Sequence, residues 1–170
     1  MRDIQSDLSR AQQLAVTAHS FAITALIAIV LTVAGKTLMS LLDLLPQDGQ
    51  EPQEWMTGVS VLLIQLLPTV LLWQAVNSLR HALARYSRGD FFSHEASLQV
   101  AAAGKSGLQA MIAFILIVPN LVAWLQYRGG FTIRIENETL GLLAFTLFVS
   151  AVGRILSAAT RLKEENEAFI

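Results

Sequence analysis

Four near-continuous apolar runs constrain this chain more than any other feature. They cover residues 15–45, 55–79, 107–127 and 139–159. A helix rises about 1.5 Å per residue and the hydrocarbon core of a bilayer is about 30 Å thick, so a helix of about 20 apolar residues can cross it. Only 15% of the residues are charged, against roughly 25% in soluble domains. The sequence therefore predicts one all-α integral membrane domain, a polytopic four-helix bundle surrounded by the lipid bilayer.

The basic residues orient this bundle. Loops rich in Lys and Arg stay on the cytoplasmic side, which predicts that residues 80–106 form a cytoplasmic loop. The same alternation assigns nine basic residues to the inner side: Arg2, Arg10, Arg80, Arg85, Arg88, Lys105, Arg154, Arg161 and Lys163. It leaves Lys36, Arg128 and Arg134 for the outer side. We therefore expect both termini in the cytoplasm (N-in/C-in), with cytoplasmic extensions on helices two, three and four.

Two prolines lie inside the predicted spans. Pro68 and Pro119 sit near the middle of the second and third runs, where each removes one backbone hydrogen bond and is expected to bend its helix without breaking the span. Paired bends could open a polar cavity around Gln65 and Asn120. Alternatively, the two amides bond neighbouring helices, which is the preferred interpretation. Lys36 is interpreted as an anchor that reaches the headgroups rather than as part of an ion pathway.

Local patterns predict several finer features. Residues 128–138 alternate apolar and polar side chains, which indicates a short strand. The stretch 101–104 is small enough to accept a close helix partner. In the fourth run, the small residues expected to pack are Gly141, Ser150, Ala151 and Gly153.

The centre of the polar segment has the pattern of a helix end followed by a helix start. Gly89 suits a left-handed C-cap, and Ser93 suits an N-cap. Glu95 then falls in the first turn, where its charge complements the helix dipole. Phe91 and Phe92, between the two caps, are expected to tuck under the bundle.

The sequence shows no sign of catalytic or metal chemistry. Cysteine is absent, and His19, His81 and His94 lack the spacing of metal ligands. No paired carboxylates or nucleophile with a base can be assembled within the spans, so we expect neither an enzyme nor a cofactor. The net charge of −1 and the lack of DNA-binding signatures argue against direct contact with nucleic acid.

Two motifs carry a family resemblance. Gly89-x-Phe91-Phe92-Ser93-x-Glu95, together with Arg161-Leu162-x-Glu164-Glu165-Asn166-Glu167 near the C-terminus, resembles the family known as domain of unknown function 2975. Its members are small bacterial membrane proteins of four helices, often encoded beside a small helix-turn-helix regulator. The resemblance implies a multi-pass protein of the bacterial inner (cytoplasmic) membrane and a regulator of this kind as its partner.

The function predicted from these observations is regulatory. We expect the chain to bind or sequester a small cytoplasmic helix-turn-helix regulator, in response to a membrane or envelope signal. The alternative is a small transporter or channel. The central two-thirds of the runs contain no Asp or Glu, and this counts against proton-coupled transport, which usually needs an ionisable group within the membrane. A homo-oligomer is compatible with the sequence.

The predicted partner-binding residues are Arg85, Arg88, Gly89, Phe91, Phe92, Ser93, Glu95, Arg161, Glu164, Glu165, Asn166 and Glu167. In the resting protein, the acidic tail is expected to pair with the basic end of the second helix.

Overall fold

Long helices make up almost all of the described structure. The computed structural model describes the backbone of residues 2–43, 52–90, 93–126, 130–131, 133 and 137–167, with side chains except those of 2–7, 52, 137–138, 164 and 167. The helices are α1 (Arg2–Asp43), α2 (Pro52–Tyr86), α3 (His94–Ile112), α4 (Val118–Leu125) and α5 (Asn137–Glu167). A π-helical turn, Ala113–Ile117, joins α3 to α4. The all-α prediction is confirmed for these residues.

In the described part of the chain, four helical units are long and apolar enough to cross a membrane. They are Leu8–Asp43, Gln53–Tyr86, His94–Leu125 and Thr139–Lys163. Only 11% to 17% of each hydrophobic window is buried inside the protein. Large apolar side chains such as Leu31, Phe148 and Ile155 are therefore exposed around the bundle. Continuous apolar surface on this scale is typical of helices that face lipid.

The helices pack in chain order. Among the described residues, α1 approaches only α2, α2 packs against α3, and α3 packs against α5. Contacts between α1 and α2 show that they are antiparallel, because Gln12 lies beside Ser87 and His19 beside Arg80. The described basic residues, apart from Lys36, consequently gather in the half of the bundle nearer the connection between α2 and α3. This connection is called the corner below.

The interior is built from small residues rather than large apolar ones. Its buried apolar positions are mostly alanines, including Ala82, Ala96 and Ala110. Without a hydrophobic driving force between helices in lipid, association depends on close van der Waals contact, and small residues permit it. Burial in α5 recurs every seven residues, at Thr139, Thr146, Gly153 and Thr160.

The crossing of α3 and α5 is the tightest contact that the structure shows. A Cβ at Gly104 would lie 2.6 Å from the backbone nitrogen of Ser150, and one at Gly153 would lie 2.6 Å from that of Ala101. Real Cβ atoms do not approach backbone this closely. The prediction that residues 101–104 accept a close partner is confirmed, and the partner is α5 of the same chain.

Some predicted packing residues lie elsewhere. Gly141 has no atom within 4 Å of the position of a Cβ, and Ala151 is exposed. Both lie off the seven-residue stripe of α5 that faces α3. The prediction was therefore right for Ser150 and Gly153 and wrong for these two, because small size alone does not reveal the helix face.

Residues 80–106 are helical on both sides of the corner, as the predicted helix extensions require. They are the last turns of α2, a short turn and the first turns of α3, so the polar segment belongs to the bundle itself.

The strand predicted for 128–138 is not found in the described part of that segment, because Gly130, Phe131 and Ile133 have no strand pairing and α5 already begins at Asn137. Its other residues lie outside the described part of the chain.

The two prolines are accommodated without breaking either span. Pro68 lies inside α2, which stays one continuous helix. Pro119 is the second residue after the π-helical turn, where the wider backbone makes room for a ring that would otherwise meet the carbonyl four residues earlier. The side-chain amide of Asn120 donates to the carbonyl of Leu116 in the same helix, so Asn120 supports its own backbone at this point.

Candidate functional site

Backbone caps fix the geometry of the corner. Gly89 has φ of 86°, the left-handed conformation that glycine adopts without strain. The amide of Gly89 donates to the carbonyl of Tyr86 at 3.0 Å, and that of Asp90 donates to Arg85 at 3.3 Å. These are the two hydrogen bonds of a Schellman motif. The predicted C-cap at Gly89 is confirmed.

The start of α3 is capped as its sequence predicted. The Ser93 hydroxyl accepts a hydrogen bond from the amide of Ala96 at 3.4 Å. Glu95 follows in the first turn of α3, and the hydroxyl of buried Ser97 donates to the carbonyl of His94 at 2.7 Å. Both helix ends beside the corner therefore have defined hydrogen-bond partners. Phe91 and Phe92, predicted to tuck under the bundle, lie outside the described residues.

A polar groove lies between the end of α2 and the start of α3. It has a volume of about 440 Å³, and its lining residues are His81, Ala84, Arg85, Arg88, Glu95, Leu98 and Gln99. The structure thus brings together three of the predicted site residues, namely Arg85, Arg88 and Glu95. Sequence reasoning missed His81, Leu98 and Gln99, which lie one helical turn from the predicted ones and share their faces.

Ion pairs hold one arginine of the groove and leave the other available. The Arg85 guanidinium binds the carboxylate of Glu95 across the corner and lies 4.0 Å from that of Asp90. Arg88 is exposed and forms no ion pair with any described residue. The groove therefore presents one fixed and one available cation beside the exposed Glu95 side chain.

The first helix clamps the end of α2 behind this groove. The Gln12 side-chain amide donates to the carbonyl of Ser87 at 2.8 Å, one of the carbonyls that a helix end leaves without an internal partner. Nδ1 of His19 lies 3.2 Å from the carbonyl oxygen of Arg80, a contact that requires the proton on Nδ1. Neither role was predicted, because nothing in the sequence shows the register between α1 and α2.

The C-terminal tail lies on the other side of α3. Gly153 opposes Ala101 in the antiparallel crossing, and the same register brings Thr160 level with the start of α3. The helix continues for seven residues, about 10 Å, beyond that level to Glu167. Arg161, Glu165 and Asn166 are exposed on this extension. The side chains of Glu164 and Glu167 are outside the described set.

The predicted resting contact between this tail and α2 is not formed by the described side chains. Arg85 binds Glu95 and Asp90, and Glu165 forms no ion pair with Arg85 or Arg88. The physical reason is the packing order, since α3 lies between α2 and α5. The corner and the tail instead flank the first turns of α3 from opposite sides.

A second, larger cavity lies in the other half of the bundle. It has a volume of about 920 Å³ between α1, α2 and the π-helical turn, and we call it the cleft. Its lining includes Lys36, Gln65 and Pro68. The cavity that the less favoured interpretation of the paired prolines allowed lies around Gln65, and Asn120 does not line it.

The described residues contain no group of three or more His, Asp or Glu side chains able to hold a metal ion.

Comparison of the chain with protein-family models, with curated proteins and with solved structures finds no match. The resemblance to the family of unknown function 2975 stays a prediction based on its two motifs.

Proposed function

We propose that this chain is a regulatory protein of the bacterial inner membrane with both termini in the cytoplasm. It binds or sequesters a small helix-turn-helix transcription regulator in response to a membrane or envelope signal. The observation that carries this proposal is the groove at the corner. It combines available charge with capped helix ends at the basic end of the bundle, the end that the positive-inside rule assigns to the cytoplasm.

Charge complementarity indicates what the groove binds. Arg88 is an available cation at its rim, and Arg85 is oriented by Glu95. Exposed ion pairs are worth only about 0 to 1 kcal/mol, so a partner carboxylate can replace Glu95 at little cost. An acidic patch on a small soluble protein fits this surface, and the family resemblance suggests that this protein is the regulator.

The tail supplies the second half of the proposed docking surface. It extends beyond the start of α3 with exposed Arg161, Glu165 and Asn166. A partner that lies across the start of α3 would contact the groove on one side and the tail on the other. This arrangement supports a docking role for both family-like motifs without any direct contact between them.

Co-purification from native membranes tests the proposal. The wild-type protein should retain a small helix-turn-helix protein, identified by mass spectrometry. Arg88→Glu should lose it, because the available cation at the rim of the groove changes sign. Arg10→Glu is the matched control, since Arg10 is exposed at the same end of the bundle but does not line the groove. This control should retain the partner.

Truncation separates the two halves of the surface. A chain ending at Leu162 lacks the predicted acidic tail and should bind the partner more weakly while staying inserted and helical. Retention of the partner at wild-type level by both the truncated chain and the groove variant would contradict the proposed docking surface. Loss in the Arg10→Glu control to the same degree would show that net charge, rather than the groove, governs capture.

A further inference from the structure

The cleft contains an unusual combination of groups for its position. Lys36 lies on α1 seven residues before the helix ends at Asp43, within a helix that is long and apolar enough to cross a membrane. Lys36 makes no ion pair with any described residue. A lysine in this position is costly unless an anion or the headgroup region satisfies it.

The charged group of the cleft lies towards the end of α1. Lys36 lines the cleft there beside Thr37 and Ser40, and Leu66 and Phe114 line it towards the middle of the bundle, with other polar and apolar side chains along its length. Its inner end continues into a smaller cavity of about 230 Å³ that shares Pro68, Thr69 and Phe114 with it. A lipid molecule has the same direction, with its charged headgroup at the boundary and its acyl chains inward.

We infer that the cleft is a binding site for an anionic phospholipid. The phosphate of the lipid pairs with the Lys36 ammonium, and the hydroxyls of Thr37 and Ser40 are placed to donate to the headgroup. One acyl chain lies along Leu66 and Phe114. Thus the cleft selects lipids by charge at one end and accepts any chain at the other. This inference depends on membrane insertion but not on the docking surface at the corner.

The wall of the cleft has one position that allows a test and one feature that is frequent at functional sites. Gly35 lines it and has no atom within 4 Å of the position of a Cβ. The π-helical turn contributes Phe114 to its wall, and π-helical turns are frequent at functional sites. The absence of a close neighbour at Gly35 also provides a way to fill the cleft without a clash.

Native mass spectrometry of the protein in nanodiscs tests the charge requirement. With equal amounts of phosphatidylglycerol and phosphatidylcholine, the wild-type protein should retain the anionic lipid about fivefold over the neutral one, the effect of one basic residue near a membrane surface. Lys36→Met should lower this ratio clearly, while the basic residues at the other end of the bundle keep it above one. Lys105→Met is the matched control, because Lys105 is also exposed but lies in the other half of the bundle, and should leave the ratio unchanged.

A second pair of variants tests the location. Gly35→Leu should fill the cleft and lower the retention of both lipids, whereas Gly141→Leu, equally free of close neighbours, should retain them as the wild type does. Equal retention of the two lipids by the wild-type protein would overturn the inference. It would also be overturned if Lys105→Met removed the preference as fully as Lys36→Met, or if Gly35→Leu retained lipid at the wild-type level.

Discussion

Replacement of Gly104 by alanine is the sharpest test of how this bundle is held together. A Cβ at Gly104 would lie 2.6 Å from the nitrogen of Ser150, closer still to its Cα, and 2.8 Å from its Cβ. Carbon atoms pack best about 3.5 to 4.0 Å apart, so α3 and α5 must separate by about 1 Å. Because the nearest atoms are backbone, no rotation of a side chain can relieve the contact.

The expected loss follows from two opposing terms. Overpacking costs about 1 to 3 kcal/mol, and a contact with backbone belongs at the upper end of that range. The higher helix propensity of alanine returns about 1 kcal/mol, which leaves a net destabilisation of about 1 to 2 kcal/mol. Gly141→Ala meets no neighbour and should be neutral or up to about 1 kcal/mol more stable.

Reversible unfolding in mixed detergent micelles measures the free energy of unfolding of both variants. The fraction of sodium dodecyl sulfate is increased, and helical circular dichroism is the signal. The difference between Gly104→Ala and Gly141→Ala should be about 2 to 3 kcal/mol, which is the packing cost alone, because the propensity gain is common to both variants and cancels. Equal stability of the two variants would refute the argument that the α3–α5 crossing depends on backbone contact.

Three further predictions concern single contacts. Gly107→Ala should destabilise the protein because its Cβ would lie 2.7 Å from Cγ2 of Thr146. Adding Thr146→Ser should recover most of the loss, because it removes Cγ2 and leaves the Cβ of residue 146 at 3.3 Å. Failure of this rescue in the same micelle assay would contradict a contact between residues 107 and 146. Ser93→Ala should cost about 1 kcal/mol and speed hydrogen exchange in the first turn of α3, while unchanged exchange would contradict the capping role. Glu95→Gln should change stability by less than about 1 kcal/mol, because the Arg85 and Glu95 side chains are 42% and 64% exposed, and a larger loss measured by detergent unfolding would show a stronger pair.

The features that the sequence predicted well are those decided locally. Apolar runs of sufficient length indicate the four spans because the bilayer thickness sets the length of a helix. Gly89 and Ser93 indicate the corner because each satisfies backbone groups within a few residues of itself. Neither inference needs to know which helices are neighbours.

The features that could not be predicted are those that depend on helix partners. Gly141 and Gly153 are equally small, but twelve residues separate them, which turns them about 120° apart on a helix. The seven-residue recurrence of Thr146, Gly153 and Thr160 was the available signal for the buried face. Likewise, the expected pairing of the tail with Arg85 required α5 to lie beside α2, and only the packing order shows that α3 lies between them.

The proposed orientation places the corner and the tail together in the cytoplasm and the other end of the bundle on the outer side. Because the chain contains no cysteine, single-cysteine variants report each position without background. In intact cells, a membrane-impermeant maleimide should label Asp43→Cys, and should label Asp90→Cys and Asn166→Cys only after the membrane is opened. Labelling of Asp90→Cys or Asn166→Cys in intact cells, with Asp43→Cys protected, would contradict this orientation.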